Sequence, residues 1–198
     1  MRLRTIITGA ALALAVPAAA QIGFSQSYTF LKAIKDSDGT KITEILSKAG
    51  SAQVIINTQD QATGDTALHI VTRRRDMTYL NFLLSRGADA NLRNKQGQAP
   101  LLIATQLRWS EGVSLLLERG ALPDLTSSLG ETALTRAVQN NDTTIVALLL
   151  RSGANPLKAE SGSGLSARDY AARDPRAAVI LRQIDEAKPK PKSKYGPN

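Results

Sequence analysis

The 198-residue sequence contains no cysteine and a single histidine. The first absence excludes disulfide frameworks, thiolate metal sites and a cysteine nucleophile; the second excludes a multi-histidine metal centre. Aromatic residues are scarce, with one Trp, four Tyr and three Phe, too few for a base-stacking platform. What is present is a folding composition, 42% apolar and 21% charged, sufficient for one sizeable core or a short repeat array but not for two large domains. The formal net charge of +8 brings anionic partners into consideration, and the placement of the charges decides among them.

Two of those charges sit at the start. Arg2 and Arg4 precede an uncharged, apolar stretch from Ile6 to Val16, followed by Pro17 and the small residues Ala18, Ala19 and Ala20. This is the layout of a secretory signal peptide over residues 1–20, with cleavage expected after Ala20. An 11-residue apolar stretch is too short to cross a bilayer as a helix. Export is therefore expected, to the periplasm of a bacterial source or, alternatively, to the medium.

An internal period governs the remainder. Gly64, Gly97 and Gly130 open the segments GDTALH, GQAPLL and GETALT at intervals of 33 residues, and Gly87, Gly120 and Gly153 recur downstream at the same interval. A fourth copy begins at Gly164, and upstream FLKAI (Phe30 to Ile34) and ITEILSKAG (Ile42 to Gly50) weakly match the two helical halves of the next unit at a spacing of 38. Thr66, Thr132 and Ser166 are placed to N-cap the first helix of their units, while Ala99 breaks the pattern. Pro100 suits the first helical position, where its missing N–H is an orphan in any case. Leu68, Val71, Leu101, Ala104, Leu134 and Ala137 line one helical face, and Gly87, Gly120 and Gly153 are placed to close the second helices in left-handed caps. One such unit cannot bury its own apolar stripe, so the units must stack.

The period, the T-A-L-H segment and the L-L-x-x-G-A-D segment resemble the ankyrin repeat over Tyr28 to Ile184. The resemblance implies an all-α solenoid of about five helix-turn-helix units with hairpin-like loops and capped ends. The units are expected at 28–60, 61–93, 94–126, 127–160 and 161–187, after a short linker at 21–27. It also implies that His69 has a structural role, tying its own first helix to neighbouring backbone, with Leu102, Thr135 and Asp169 in its place elsewhere. Where the family usually has Gly-His between the two helices, this chain has Arg75-Asp76, Arg108-Trp109, Asn141-Asp142 and Pro175-Arg176. Only Asn141 among them adopts a positive φ comfortably, so reshaped turns are expected.

No residue set supplies a base, a nucleophile and an orienting group together, and no glycine-rich phosphate loop follows a strand pattern. The expectation is a non-catalytic protein with no cofactor, metal or small-molecule substrate. The resemblance places protein partners on the loop tips and on the concave side formed by the first helices. There the candidate contacts are Arg73, Arg74, Arg75, Arg93, Lys95, Arg108, Trp109, Asn140 and Asp142, with Trp and Arg the residues most often found as hot spots. The competing reading makes the arginine triplet a solvated helix end and folds Trp109 back onto Met77 or Tyr79.

After Ala187 the chain reads KPKPKSKYGPN, with Lys188, Lys190, Lys192 and Lys194 and no acid. Its prolines make it an extended, disordered tail, either inert or a weak electrostatic tether to an anionic surface. Arg2, Arg4 and these four lysines account for six of the eight net charges, leaving the repeat body at +2. Specific nucleic-acid binding is not expected of such a body. Three functional expectations follow: a scaffold for an envelope or stress-response protein, a secreted host-interaction effector, or a binder of anionic polymer or membrane surface.

Overall fold

A computed structural model describes residues 18–48 and 52–187. The n- and h-regions of the expected signal peptide and the Lys/Pro tail lie outside the described residues. Eleven α-helices are described: α1 (Ala18–Asp36), α2 (Gly39–Ser47), α3 (Ala52–Ile56), α4 (Ala67–Arg73), α5 (Met77–Ser85), α6 (Pro100–Gln106), α7 (Ser110–Glu118), α8 (Ala133–Gln139), α9 (Thr143–Arg151), α10 (Ala167–Arg173) and α11 (Ala178–Glu186). Helices α1, α4, α6, α8 and α10 pack in succession as an inner layer, while α5, α7, α9 and α11 form the outer one. No helix among the described residues is long and apolar enough to cross a membrane.

The apolar periodicity produces one continuous core. Leu68, Val71, Leu101, Ala104, Leu134 and Ala137 are at most 2% exposed, and Leu80, Leu83, Val113, Leu116, Ile145 and Leu149 seal the outer layer against them. At one end Phe30, Ile34 and Ile42 cover the stack, and at the other Ile180 and Ile184. The outward surface of that last helix is polar or half-exposed, which suits a terminal unit.

Two boundaries differ from the sequence reading. Residues 21–27, expected as a linker, are part of α1, which is 19 residues long where the other inner helices have seven. The extra residues of the first unit form the short helix α3.

The expectation of reshaped turns also needs correction. Ser37, Arg75, Arg108 and Asn141 all take a left-handed φ, between 53° and 58°. Each turn closes by the same pair of backbone bonds: in the second unit Arg75 N–H donates to Thr72 O and Asp76 N–H to Val71 O, both at 3.0 Å. These bonds satisfy inner-helix carbonyls that would otherwise be orphaned, which offsets the roughly 1–2 kcal/mol that a side chain suffers in this conformation. Only the last turn is rebuilt, as a short 3-10 segment at Pro175–Ala177 capped by Asp174.

The loops between units form hairpin-like fingers. In the second and third, Asn94 N–H donates to Gln98 O and Ser127 N–H to Glu131 O, and the fingers join through Lys95 N–H to Thr63 O and Ser128 N–H to Gln96 O, both 3.0 Å. Gly97 and Gly130 are required here twice over. Both have positive φ, and a Cβ on either would collide with the backbone of the following finger. In the first finger the Ala62 and Thr63 N–H groups donate to Asp60 Oδ1, at 2.9 and 3.1 Å.

Candidate interaction surface

The arginine triplet is divided among three tasks. Arg73, on the inner helix α4, pairs with Asp65 at 3.2 Å, and Asn94 donates to the same carboxylate. Arg74 reaches back to the preceding unit and donates to Ile34 O at 2.7 Å and Lys35 O at 3.2 Å; Arg75 reaches forward to Leu107 O. Asn140 repeats the backward contact two units further on, donating to Thr105 O at 3.2 Å. All three acceptor sites are the last carbonyls of inner helices, where unpaired oxygens and the negative end of the helix dipole favour a donor or cation. Arg74, Arg75 and Asn140 therefore clamp neighbouring units, while Arg74 and Arg75 stay exposed to solvent.

Trp109 folds back into the protein, in the direction of the competing reading, with Gly112 beneath its ring. It is only 8% exposed and occupies the N-cap of α7, the position that Asp38, Asp76 and Asp142 hold in α2, α5 and α9. Its ring lies over Gly112, filling the space that a Cβ there would need. The sequence signal was a glycine three residues after the tryptophan, inside a helical pattern. Asp142 accepts from Ile145 N–H at 2.9 Å and is accordingly a cap. Arg108, beside the tryptophan, is exposed.

On the fingers, Arg93 donates to Thr126 O and Lys95 Nζ to Gln61 O at 2.6 Å, so both long side chains lie along neighbouring fingers while remaining exposed. At the third finger tip Leu129 is 76% exposed, the most exposed large apolar side chain among the described residues.

Two features escaped the sequence reading. The first is a cleft of about 700 Å³ between α1 and the first finger, lined by Tyr28, Leu31, Lys32 and Lys35 and by residues 58–62. Lys32 pairs with Asp36 at 2.7 Å and Lys35 with Asp60 at 2.8 Å. The Lys35 ammonium and the two finger amides hold the Asp60 carboxyl down at about 2. Tyr28, Lys32 and Lys35 follow helical spacing, but assigning 21–27 to a linker hid the length of the helix.

The second is a chain of polar side chains at the base of the middle fingers. Gln98 Nε2 donates to Gln106 Oε1 at 3.3 Å, Gln106 bonds to Glu131, and Arg136 pairs with Glu131 at 2.6 Å. Burial pushes the Glu131 carboxyl upward, Arg136 opposes the shift, and Glu160 on the next finger adds to it. Gln98 and Glu131 are 33 residues apart, a repetition visible in the sequence once the fingers are aligned.

His69 is fully buried. Its Nδ1 accepts from Thr66 N–H at 3.1 Å and lies 2.8 Å from the Thr66 hydroxyl, while Nε2 donates to Gln98 O of the next finger at 2.9 Å. This arrangement requires the neutral ring protonated on Nε2. Burial lowers its pKa below the ordinary 6.5.

Comparison with known proteins agrees with this architecture. The family model described as ankyrin repeats (3 copies) matches residues 30–127 and 80–160. Oxysterol-binding protein homolog 1 of Saccharomyces cerevisiae is 36% identical over 73 residues, a stretch covering 36% of this chain but only 6% of the yeast protein. With tandem inner and outer helices, left-handed turns, joined fingers and a family match over most of the described residues, the chain belongs to the ankyrin-repeat family.

Proposed function

We propose that this protein is a non-catalytic interaction scaffold that holds a partner protein along the concave face and finger tips of the stack. Ankyrin repeats are in general protein-binding modules, and fold alone does not name a partner. The observation that carries the reading is the division of labour among side chains. Turn-edge residues such as Arg74, Arg75 and Asn140 hold units together and Trp109 packs within its own, whereas Tyr28 and Leu129, 71% and 76% exposed, present apolar surface on the inner-helix and finger side. Arg73, Lys95 and Arg108 remain at the surface beside them.

Affinity capture with residues 21–198, followed by calorimetry on the recovered protein, tests the reading. Tyr28→Ala with Leu129→Asp should weaken binding by at least about 2 kcal/mol with helical content unchanged. Undiminished affinity would move the interface off this face. Trp109 and Arg74 are unsuitable probes because their replacement would disturb the stack itself.

Export is part of the same reading, with cleavage after Ala20 and the periplasm as destination, or the medium as the alternative. Among the described side chains of α1, the buried ones, Phe30, Leu31, Ala33 and Ile34, lie beyond that bond and stay with the mature chain. Mass spectrometry of the exported protein should find Gln21 as its first residue; a full-length chain sedimenting with membranes would overturn the assignment. The partner is then another exported protein, such as an envelope or stress-response protein. A second reading, contact with an anionic surface, rests on the four tail lysines, because Arg74 and Arg75 are engaged within the stack. Truncation after Ala187 should abolish any salt-sensitive adsorption to anionic vesicles.

A further inference from the structure

We infer that His69 makes the start of α4, at the junction between the second and third units, acid-sensitive, so that adding a proton to its ring frees the Thr66 amide and loosens α4 beside the finger at 94–98, although the Nε2–H bond to Gln98 O survives. The argument starts from both ring nitrogens being committed inside the protein. Nε2–H donates across the junction to Gln98 O, and Nδ1 accepts the Thr66 N–H at the start of α4. An imidazolium has two donors and no acceptor. Protonation therefore turns a donor toward the Thr66 N–H; the Thr66 hydroxyl can rotate to accept it, but the amide is left orphaned at a buried helix start.

The surroundings do not rescue the charge. From its own unit, His69 feels Asp65 and Arg73, which oppose each other and are paired together. From the finger at 94–98 the groups near it are the neutral Asn94 and Gln98, since Lys95 extends to Gln61 O. Helix α6 contains no charged residue, and on α1 Lys32 and Lys35 are bound to Asp36 and Asp60. The corresponding positions in other units carry no such device. Leu102 is apolar, Thr135 bonds the Thr132 hydroxyl, and Asp169 bonds Ser166 within its own unit. His69 is thus the residue in this row whose ring ties two units and can also take up a proton. In a stack whose stability is the sum of units and nearest-neighbour interfaces, weakening one interface loosens the array at that point.

The sign follows from the two states. Unfolded chain takes up the proton below 6.5 while the folded ring resists it, so the contribution of His69 is complete above that pH and is lost as the pH falls below it. Between pH 7.5 and 5.0 the opening equilibrium should rise, by at most about 30-fold. Other groups do not mimic this. Protonating Glu131 at acid pH relieves a buried charge and acts in the opposite direction, and Asp60 titrates far lower.

Hydrogen exchange of the full chain at pH 7.5, 6.0 and 5.0, corrected for intrinsic rates, reads the effect in peptides spanning 66–73 and 94–103. The wild type should show the rise, while His69→Leu and His69→Thr, which install the residues found in the next two units, should stay within about threefold. A flat wild type, or variants that loosen equally on acidification, would overturn the inference. Should both variants fail to fold, NMR titration of the wild-type imidazole decides. A midpoint below 6.5 with concurrent loss of the Thr66 amide signal supports the tie, and a midpoint at or above 6.5 refutes it.

Discussion

The third unit and its neighbours share one backbone but hold it by opposite means. In the second and fourth units, Thr66 with His69 and Thr132 with Thr135 organise the inner-helix start, and Asp76 and Asp142 cap the outer helix. In the third, the corresponding residues are Ala99, Leu102 and Trp109, and neither helix has a side-chain cap. Burial replaces the missing hydrogen bonds: α6 buries six of its seven residues, whereas α10 at the end of the stack buries two. The second and fourth units also have neighbours on both sides and bury five of their seven inner-helix residues, so the third differs in dispensing with the caps, not in its place in the stack. The same left-handed turn and the same finger emerge either way.

This comparison can be broken most directly at Trp109. Trp109→Ala should cost about 3–5 kcal/mol in urea unfolding, since it empties a packed site over Gly112. Trp109→Asp should recover only about 1 kcal/mol of that by restoring a cap. A loss below that of a cap residue would mean the ring contributes little and the contrast is mistaken. The next effect in size is Asp142→Ala, expected to cost about 1 kcal/mol because the Ile145 amide loses its acceptor. The smallest lies at the first finger. Asp60 is held at about 2 against an ordinary 3.8, so its contribution is present above 3.8 and disappears as the pH falls through about 2. Thermal melts of Asp60→Asn should accordingly vary less than wild type between pH 4 and 2, with little difference near neutrality.

The repeat architecture was legible in the sequence because each unit needs the same few residues for stated physical reasons. Glycine is required where a finger backbone approaches the next one, and leucine or alanine where helices meet, so the 33-residue period survives changes elsewhere. The candidate surface was less legible because it depends on reach between units. Nothing local in Arg73-Arg74-Arg75 distinguishes a guanidinium bound to Ile34 O or Leu107 O from one facing solvent. Trp109 misled for a related reason: a turn position suggests exposure, and only Gly112 on the following helix shows that the ring has a seat. The α1 cleft was hidden because helical residues 21–27 carry no cap or apolar period that marks them as helix.

Asp60 changes how the first finger is attached. In the second and third fingers Lys95 N–H and Ser128 N–H join the finger before. In the first, Ala62 N–H donates to the Asp60 carboxylate of its own loop, and Lys35 on α1 pairs with that carboxylate. The loop is thereby fastened to α1 through an ion pair where the next two are fastened through backbone, which makes it the finger whose attachment dissolved salt can screen.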